Sequence, residues 1–243
     1  MVGSLLIRGI LVGLLAGLLA FGFAKVFGEP PLDRAIAFED HSRQAPPEPA
    51  LVSRRVQSTI GLLTGVAVYG GALGGLFALA CASAFGRIGR LGPRAVAALV
   101  ASGGFVVLVL VPQLKYPANP PAIGDPQTIG LRTALYFVIL ALSLLAAIAA
   151  LGSRQRLAAR FGSGTAALIC GAGYVAAMAV ALWLLPPAAQ VPPGFPVAVL
   201  WKFRLAALGV QVVLWATLGL VFGVLAERCL ARRMRRAWPP AAR

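Results

Sequence analysis

Ile60-GLLTGVAVYGGALGGLFALACASA-Phe85 runs for 26 residues without a charged side chain. About 20 apolar helical residues cross the roughly 30 Å hydrocarbon core of a bilayer, so this stretch is long enough to span. Five further stretches qualify: Leu5–Val26, Ala95–Val111, Thr133–Leu151, Ala166–Leu185 and Leu205–Leu225. Of the 243 residues only 12% are charged and the mean hydropathy is +0.86, too little polarity for the surface of a water-soluble domain. Lipid admits only helices and closed barrels, and these runs are too long and continuous for barrel strands. The sequence predicts an all-α polytopic membrane bundle of about six transmembrane helices, near 5–26, 60–85, 95–111, 133–151, 166–185 and 205–225. They form one transmembrane domain over 1–243, with a basic cytoplasmic tail at 226–243.

The first run, Gly9 to Ala24, approaches the length of a signal-peptide core. No small-x-small cleavage site precedes the charges at Glu29–Arg34, so an uncleaved helix is expected. The formal net charge of +15 is divided unevenly. With the N-terminus inside, the inner side carries thirteen cations and one acid, Glu227, and the outer side nine cations and six acids. Gly86–Arg94 and Gly152–Gly162 read as short loops with three arginines each and no acid. Arg232-Arg233-Met234-Arg235-Arg236 follows the last helix. Such clusters suit the cytoplasmic face and its anionic lipids, so both termini are placed inside and nucleic acid is not the expected partner. Cys81, Cys170 and Cys229 show no CxxC spacing and read as small packing residues.

Gly13 and Gly17 stand four apart, and the second helix carries Gly61, Gly65, Gly70, Gly71, Gly74 and Gly75. Small residues at this spacing let helix backbones approach closely in lipid. They suit either tight packing or helices that slide in a transport cycle. No enzyme motif or nucleophile–base pair is present, and the chain has one histidine, His41. No acid falls in the middle of a predicted helix, where acids usually mark ion or proton pathways. Polar groups gather instead in outer loops one (about Phe27 to Thr59), three (Pro112 to Arg132) and five (Pro186 to Arg204).

Loop one, after Pro30-Pro31, reads as a short surface helix. Its Glu39, Asp40 and His41 offer oxygen and imidazole donors to a first-row divalent metal, or form a solvated acidic patch beside Arg34 and Arg43. In loop three Asp125 caps a helix whose first position is Pro126. Pro117, Pro120, Pro121 and Pro126 stiffen an irregular segment, so Asn119 and the loop carbonyls could face an ion. In loop five Trp201 and Phe203 suit an interfacial belt, with Lys202 and Arg204 reaching headgroups. Arg132 or Arg204 could pair with Asp125.

Two stretches resemble the CbtA family of cobalt transporters, whose hallmark segments read K-Y-P-A-N-P-P-x-x-G-D-P-x-T-I-x-x-R-T and F-P-x-x-L-W-x-F-R-L-A. The first is matched by Lys115-Tyr116-Pro117-Ala118-Asn119-Pro120-Pro121, Gly124-Asp125-Pro126, Thr128-Ile129 and Arg132-Thr133. The second is matched by Phe195-Pro196, Leu200-Trp201 and Phe203-Arg204-Leu205-Ala206. In loop one the chain departs from the family pattern: His41 stands alone, and Pro47-Glu48 followed by Arg54 match loosely. The resemblance implies a multi-pass protein of a bacterial inner membrane, tied to cobalt supply for cobalamin. It also implies a small CbtB-like partner with one helix and a histidine-bearing tail. No tightly bound cofactor is expected. The expected function is that of a transporter or permease subunit for a divalent transition metal, with cobalt as the expected ion, and not of an enzyme. A non-transporting assembly or sensing partner, or a carrier of another solute, is the alternative.

Overall fold

A computed structural model describes residues 2–42, 52–87, 91–187 and 191–237. Among these residues every regular element is helical. Six helices are long and apolar enough to cross a membrane: α1 (Val2–Ser42), α2 (Arg54–Ala84), α3 (Pro93–Lys115), α4 (Ile129–Phe161), α5 (Ser163–Leu184) and α6 (Val197–Leu230). Helix continues past α6 to Ala237. The chain is a multi-pass membrane protein. One end of the bundle gathers the arginine-rich connections; the other, the loop-three end, gathers the proline-rich ones. Arg43, Pro47, Glu48 and Arg90, and the side chains of 232–236, lie outside the description.

The predicted spans are present, but several helices outrun them. Loop one does not begin with a separate surface helix: α1 continues through Pro30 and Pro31 to Ser42. At 1.5 Å per residue its 41 residues reach about 60 Å, roughly twice the hydrocarbon thickness. Proline lacks an amide donor and crowds the carbonyl four residues back, which ordinarily breaks a helix. Here a widened turn at Ala24–Gly28 precedes the prolines, and Glu29 N–H donates to the Ala24 carbonyl five residues back. The wider turn opens the ladder where the prolines would disrupt it. Pro112 is accommodated in the same way: Val106–Leu110 forms a widened turn, closed by Val111 N–H on the Val106 carbonyl.

Two expected loops are also shorter. Gly152–Gly162 is not a loop, because α4 continues through Arg154, Arg156 and Arg160 to Phe161 and turns only at Gly162 (φ +82°). Arginine, alanine, leucine and glutamine favour helix in water as well as in lipid, so the helix does not stop where the apolar run does. Loop five ends earlier than expected, since α6 begins at Val197 directly after Pro196, and Trp201–Arg204 lie on its first turns.

The core is built by α1, α2, α3 and α6. Leu5, Val12, Ala16 and Ala20 of α1 meet Phe77, Ala78 and Cys81 of α2, Ala97, Ala101 and Val109 of α3, and Leu214, Trp215, Leu218 and Phe222 of α6. Helices α1 and α2 form the closest pair. A Cβ on Gly13 would land on the Gly70 carbonyl oxygen, one on Gly9 or Gly74 would strike the opposite backbone, and one on Gly17 would lie 2.7 Å from the Val66 carbonyl oxygen. These glycines are packing residues, whereas Gly65 faces open space. The α4–α5 hairpin is peripheral. Only 11% and 6% of the apolar windows of α4 and α5 are buried, against 33–39% for the other four helices, so most of their surface is left to lipid. Ser143 attaches the hairpin to α3, donating to the Val107 carbonyl at 2.6 Å, and lies 2.8 Å from the Tyr174 hydroxyl of α5. At the arginine end Arg94 pairs with Glu227 at 2.5 Å, and Arg8 Nη1 lies 2.7 Å from Cys229 Sγ. All three cysteines are free thiols.

Candidate functional site

At the loop-three end the chain between α3 and α4 folds into two turns. Ile123 N–H reaches back to the Pro120 carbonyl at 3.4 Å, with Ala122 and Gly124 both at positive φ (70° and 85°). Asp125 then performs the capping expected of it. Its Oδ1 accepts from Gln127 N–H at 2.8 Å, and its carbonyl accepts from Thr128 N–H at 3.0 Å and Thr128 Oγ1 at 2.7 Å. The result is a tight turn at Pro126–Thr128 that feeds α4. Gly124→Ala should cost about 1–2 kcal/mol, because a Cβ is disfavoured at left-handed φ. A lowered thermal midpoint of the purified protein, with unchanged oligomeric state, would be the expected reading.

Loop three is fastened to both neighbours. Ala35 of α1, Ile123, Phe195, Val199 and Leu200 form a second buried apolar cluster, flanked by Phe38 and Ala122. Phe38 and Phe195 meet edge to face at 5.0 Å. The Tyr116 hydroxyl donates to the Pro186 carbonyl at 2.9 Å, and burial pushes its phenol pKa up, so the donor keeps its proton. Pro120 is buried, and Pro117, Pro121 and Lys115 are half-buried. Loops three and five therefore touch, and the two sequence stretches that carried the resemblance pack together.

The arginines do not use the Asp125 carboxylate as expected. Arg132 donates from Nη1 to the Ile123 carbonyl (3.1 Å) and from Nη2 to the Asp125 carbonyl (3.3 Å). Arg204 donates from Nη2 to Asn119 Oδ1 at 2.8 Å and lies 5.8 Å from the Trp201 ring. The carboxylate of Asp125 is drawn instead to the bare amide of its own turn, which is nearer than any guanidinium that the α4 register supplies. Asn119 and the loop carbonyls, read as candidate cation ligands, thus already accept from guanidinium groups. A cation approaching Asn119 Oδ1 would meet the Arg204 guanidinium already bonded there.

Glu39, Asp40 and His41 occupy the last turn of α1. His41 Nδ1 lies 2.6 Å from the Ala37 carbonyl. The carbonyl can only accept, so Nδ1 is the donor and Nε2 is the ring nitrogen left for another partner. Asp33, seven residues from Asp40, is tied to Arg54, which also pairs with Glu29 at 2.5 Å. Among the described residues no group of three or more His, Cys, Asp or Glu side chains comes together.

Sequence reading missed the polar groups inside the bundle. Gln211 is the polar neighbour of the Tyr69 phenol, Tyr69 lies close to Tyr136, and Gln211 Oε1 and Trp215 Nε1 are buried without a partner. The available signal was a glutamine within an apolar run, weaker than a charge but seldom placed in lipid without a use.

No curated protein and no solved structure matches this chain. A family model described as "Probable cobalt transporter subunit (CbtA)" matches residues 2–227, which include all six spans up to the last turns of α6 and both stretches at the loop-three end. This chain therefore belongs to the CbtA family and is a polytopic membrane protein of a transporter-subunit family.

Proposed function

We propose that this protein is the membrane-embedded subunit of a divalent-metal uptake system, carrying Co²⁺ for cobalamin supply across a bacterial inner membrane. The family match over residues 2–227 carries this reading. In the proposed orientation the arginine end faces the cytoplasm, where its cations meet anionic lipid. The loop-three end then receives the ion.

Helices α2 to α5 contain no acid, so the bundle itself offers little to replace the hydration shell of a divalent ion. Asp125 is exposed and commits one oxygen to its own turn. With Glu39, Asp40 and His41 it would provide weak collecting points. Borderline metals such as cobalt favour imidazole nitrogen, and a small single-helix CbtB-like partner with a histidine-bearing tail would complete the donor set. Cells making both proteins should accumulate more cobalt than cells with either alone, with Ni²⁺, Zn²⁺ and Mg²⁺ as competitors. Asp125→Ala should lower that accumulation several-fold. Uptake equal to wild type from well-expressed Asp125→Ala would remove this residue from the mouth. No cobalt flux from the pair would reject the transport reading itself.

A further inference from the structure

We infer that the cavity beneath loop three binds an oxyanion, a carboxylate or phosphate group, through Arg132 and the amide of Asn119. The cavity measures about 420 Å³, and its polar lining comes from Gln113, Tyr116, Asn119, Arg132, Thr133 and Tyr136. No acid lines it.

The argument rests on what each polar group has left to offer. Arg132 and Arg204 are half-buried, and among the described residues neither is paired with a carboxylate. Both use their terminal nitrogens on neutral oxygens only, and both leave a buried Nε–H without an acceptor. A guanidinium removed from water calls for a counter-charge, and neutral carbonyls supply none.

Arg204 also settles which way Asn119 faces. A guanidinium can only donate, so the amide oxygen must be the atom turned toward it. The Asn119 Nδ2 donors are then left for the cavity that Asn119 lines. Thr133 and Tyr136 add hydroxyls. Positive charge and N–H donors converge on one space, which is the arrangement a carboxylate or phosphate recognises. A bare cation entering this cavity would be repelled, whereas a metal ion escorted by an oxyanion ligand would not. The inference stands independently of the metal reading, since it concerns only the charge and donors of the cavity.

Two sources share this chemistry: a soluble oxyanion and a phospholipid headgroup. Both can reach the site, because the cavity opens to the surface beside Ile129, a lining residue that is 56% exposed. The experiment follows thermal unfolding of the full chain in uncharged detergent. Citrate and inorganic phosphate are titrated against chloride of matched ionic strength. Separately, micelles of phosphatidylcholine are compared with micelles containing phosphatidylglycerol.

A rise in midpoint with citrate or phosphate, but not with chloride, is expected for a soluble oxyanion. A rise with phosphatidylglycerol alone is expected for a headgroup. Arg132→Gln should raise the half-saturating concentration roughly ten- to hundredfold, as loss of a charge-assisted hydrogen bond predicts. Because Arg132 also holds two loop carbonyls, that variant could fail to fold. Thr133→Leu takes a hydroxyl out of the cavity and narrows it without touching those bonds and should weaken the response, whereas Arg154→Gln at the arginine end should leave the response to citrate or phosphate intact. No rise with any of these anions, or a full response in Thr133→Leu, would overturn the proposal.

Discussion

Gly13→Leu is expected to abolish the folded protein, with a loss of about 3 kcal/mol or more. In lipid, helices gain nothing by hiding apolar surface from one another, so close backbone contact and van der Waals packing must hold them together. The α1–α2 pair depends on that contact along its length. A Cβ at Gly13 would collide with the Gly70 carbonyl oxygen, and would lie 3.0 Å from the Gly74 Cα. Both atoms are backbone, which cannot rotate away as a side-chain tip can. The helices would have to part, and the contacts at Gly9, Gly17, Gly70 and Gly74 would part with them. Gly74→Leu should behave the same way. Gly65→Leu should be tolerated, because nothing lies within 4 Å of that position. Gly71→Leu meets only the Leu14 side chain and should be intermediate. Yield of monodisperse protein and thermal midpoint distinguish these cases. Wild-type behaviour of Gly13→Leu would refute the packing argument.

The contrast between Gly13 and Gly65 also marks how far the sequence could be read. Spacing alone treats both as candidates for a helix contact; which face meets a neighbour is decided by tertiary packing. The six spans were legible because hydropathy reports where lipid must be. Hydropathy does not report where a helix stops, so it leaves the polar end of α4 as a loop and that of α1 as a separate surface helix. Pro30, Pro31 and Pro112 looked like breaks, and the widened turns that admit them leave no mark in residue type. At the site, the Asp125 cap was visible because cap and turn lie within three residues. The partners of Arg204 and Tyr116 lie 85 and 70 positions away, and no local pattern specifies such a pairing.

Arg204→Gln should lower cobalt accumulation about tenfold or more, while the helices still form. Arg204 is the polar link between α6 and loop three, through the 2.8 Å bond to Asn119. Beside it the contact of Phe195, Val199 and Leu200 with Ile123 supplies the apolar link. Removing the guanidinium leaves the apolar link in place, so the fold should survive. The position of Asn119 should not. A hydrogen bond to a charged group contributes roughly 1.5–3 kcal/mol, which corresponds to about ten- to hundredfold in the population of the fastened loop. The freed amide could also turn its oxygen into the cavity, erasing the donor set that faces it. Arg204→Lys keeps the charge but offers a compact, strongly hydrated ammonium in place of the planar fork. It should therefore restore only part of the activity. Lys202→Gln is the control, since Lys202 is exposed on the same turn of α6 and should be neutral. Hydrogen exchange at residues 118–124 gives a readout that does not depend on transport, and it should accelerate in Arg204→Gln and not in Lys202→Gln. If exchange and accumulation both stay at wild-type levels in a well-expressed Arg204→Gln protein, the Arg204–Asn119 bond does not position loop three, and the apolar cluster with the bonds of Arg132 and Tyr116 holds it.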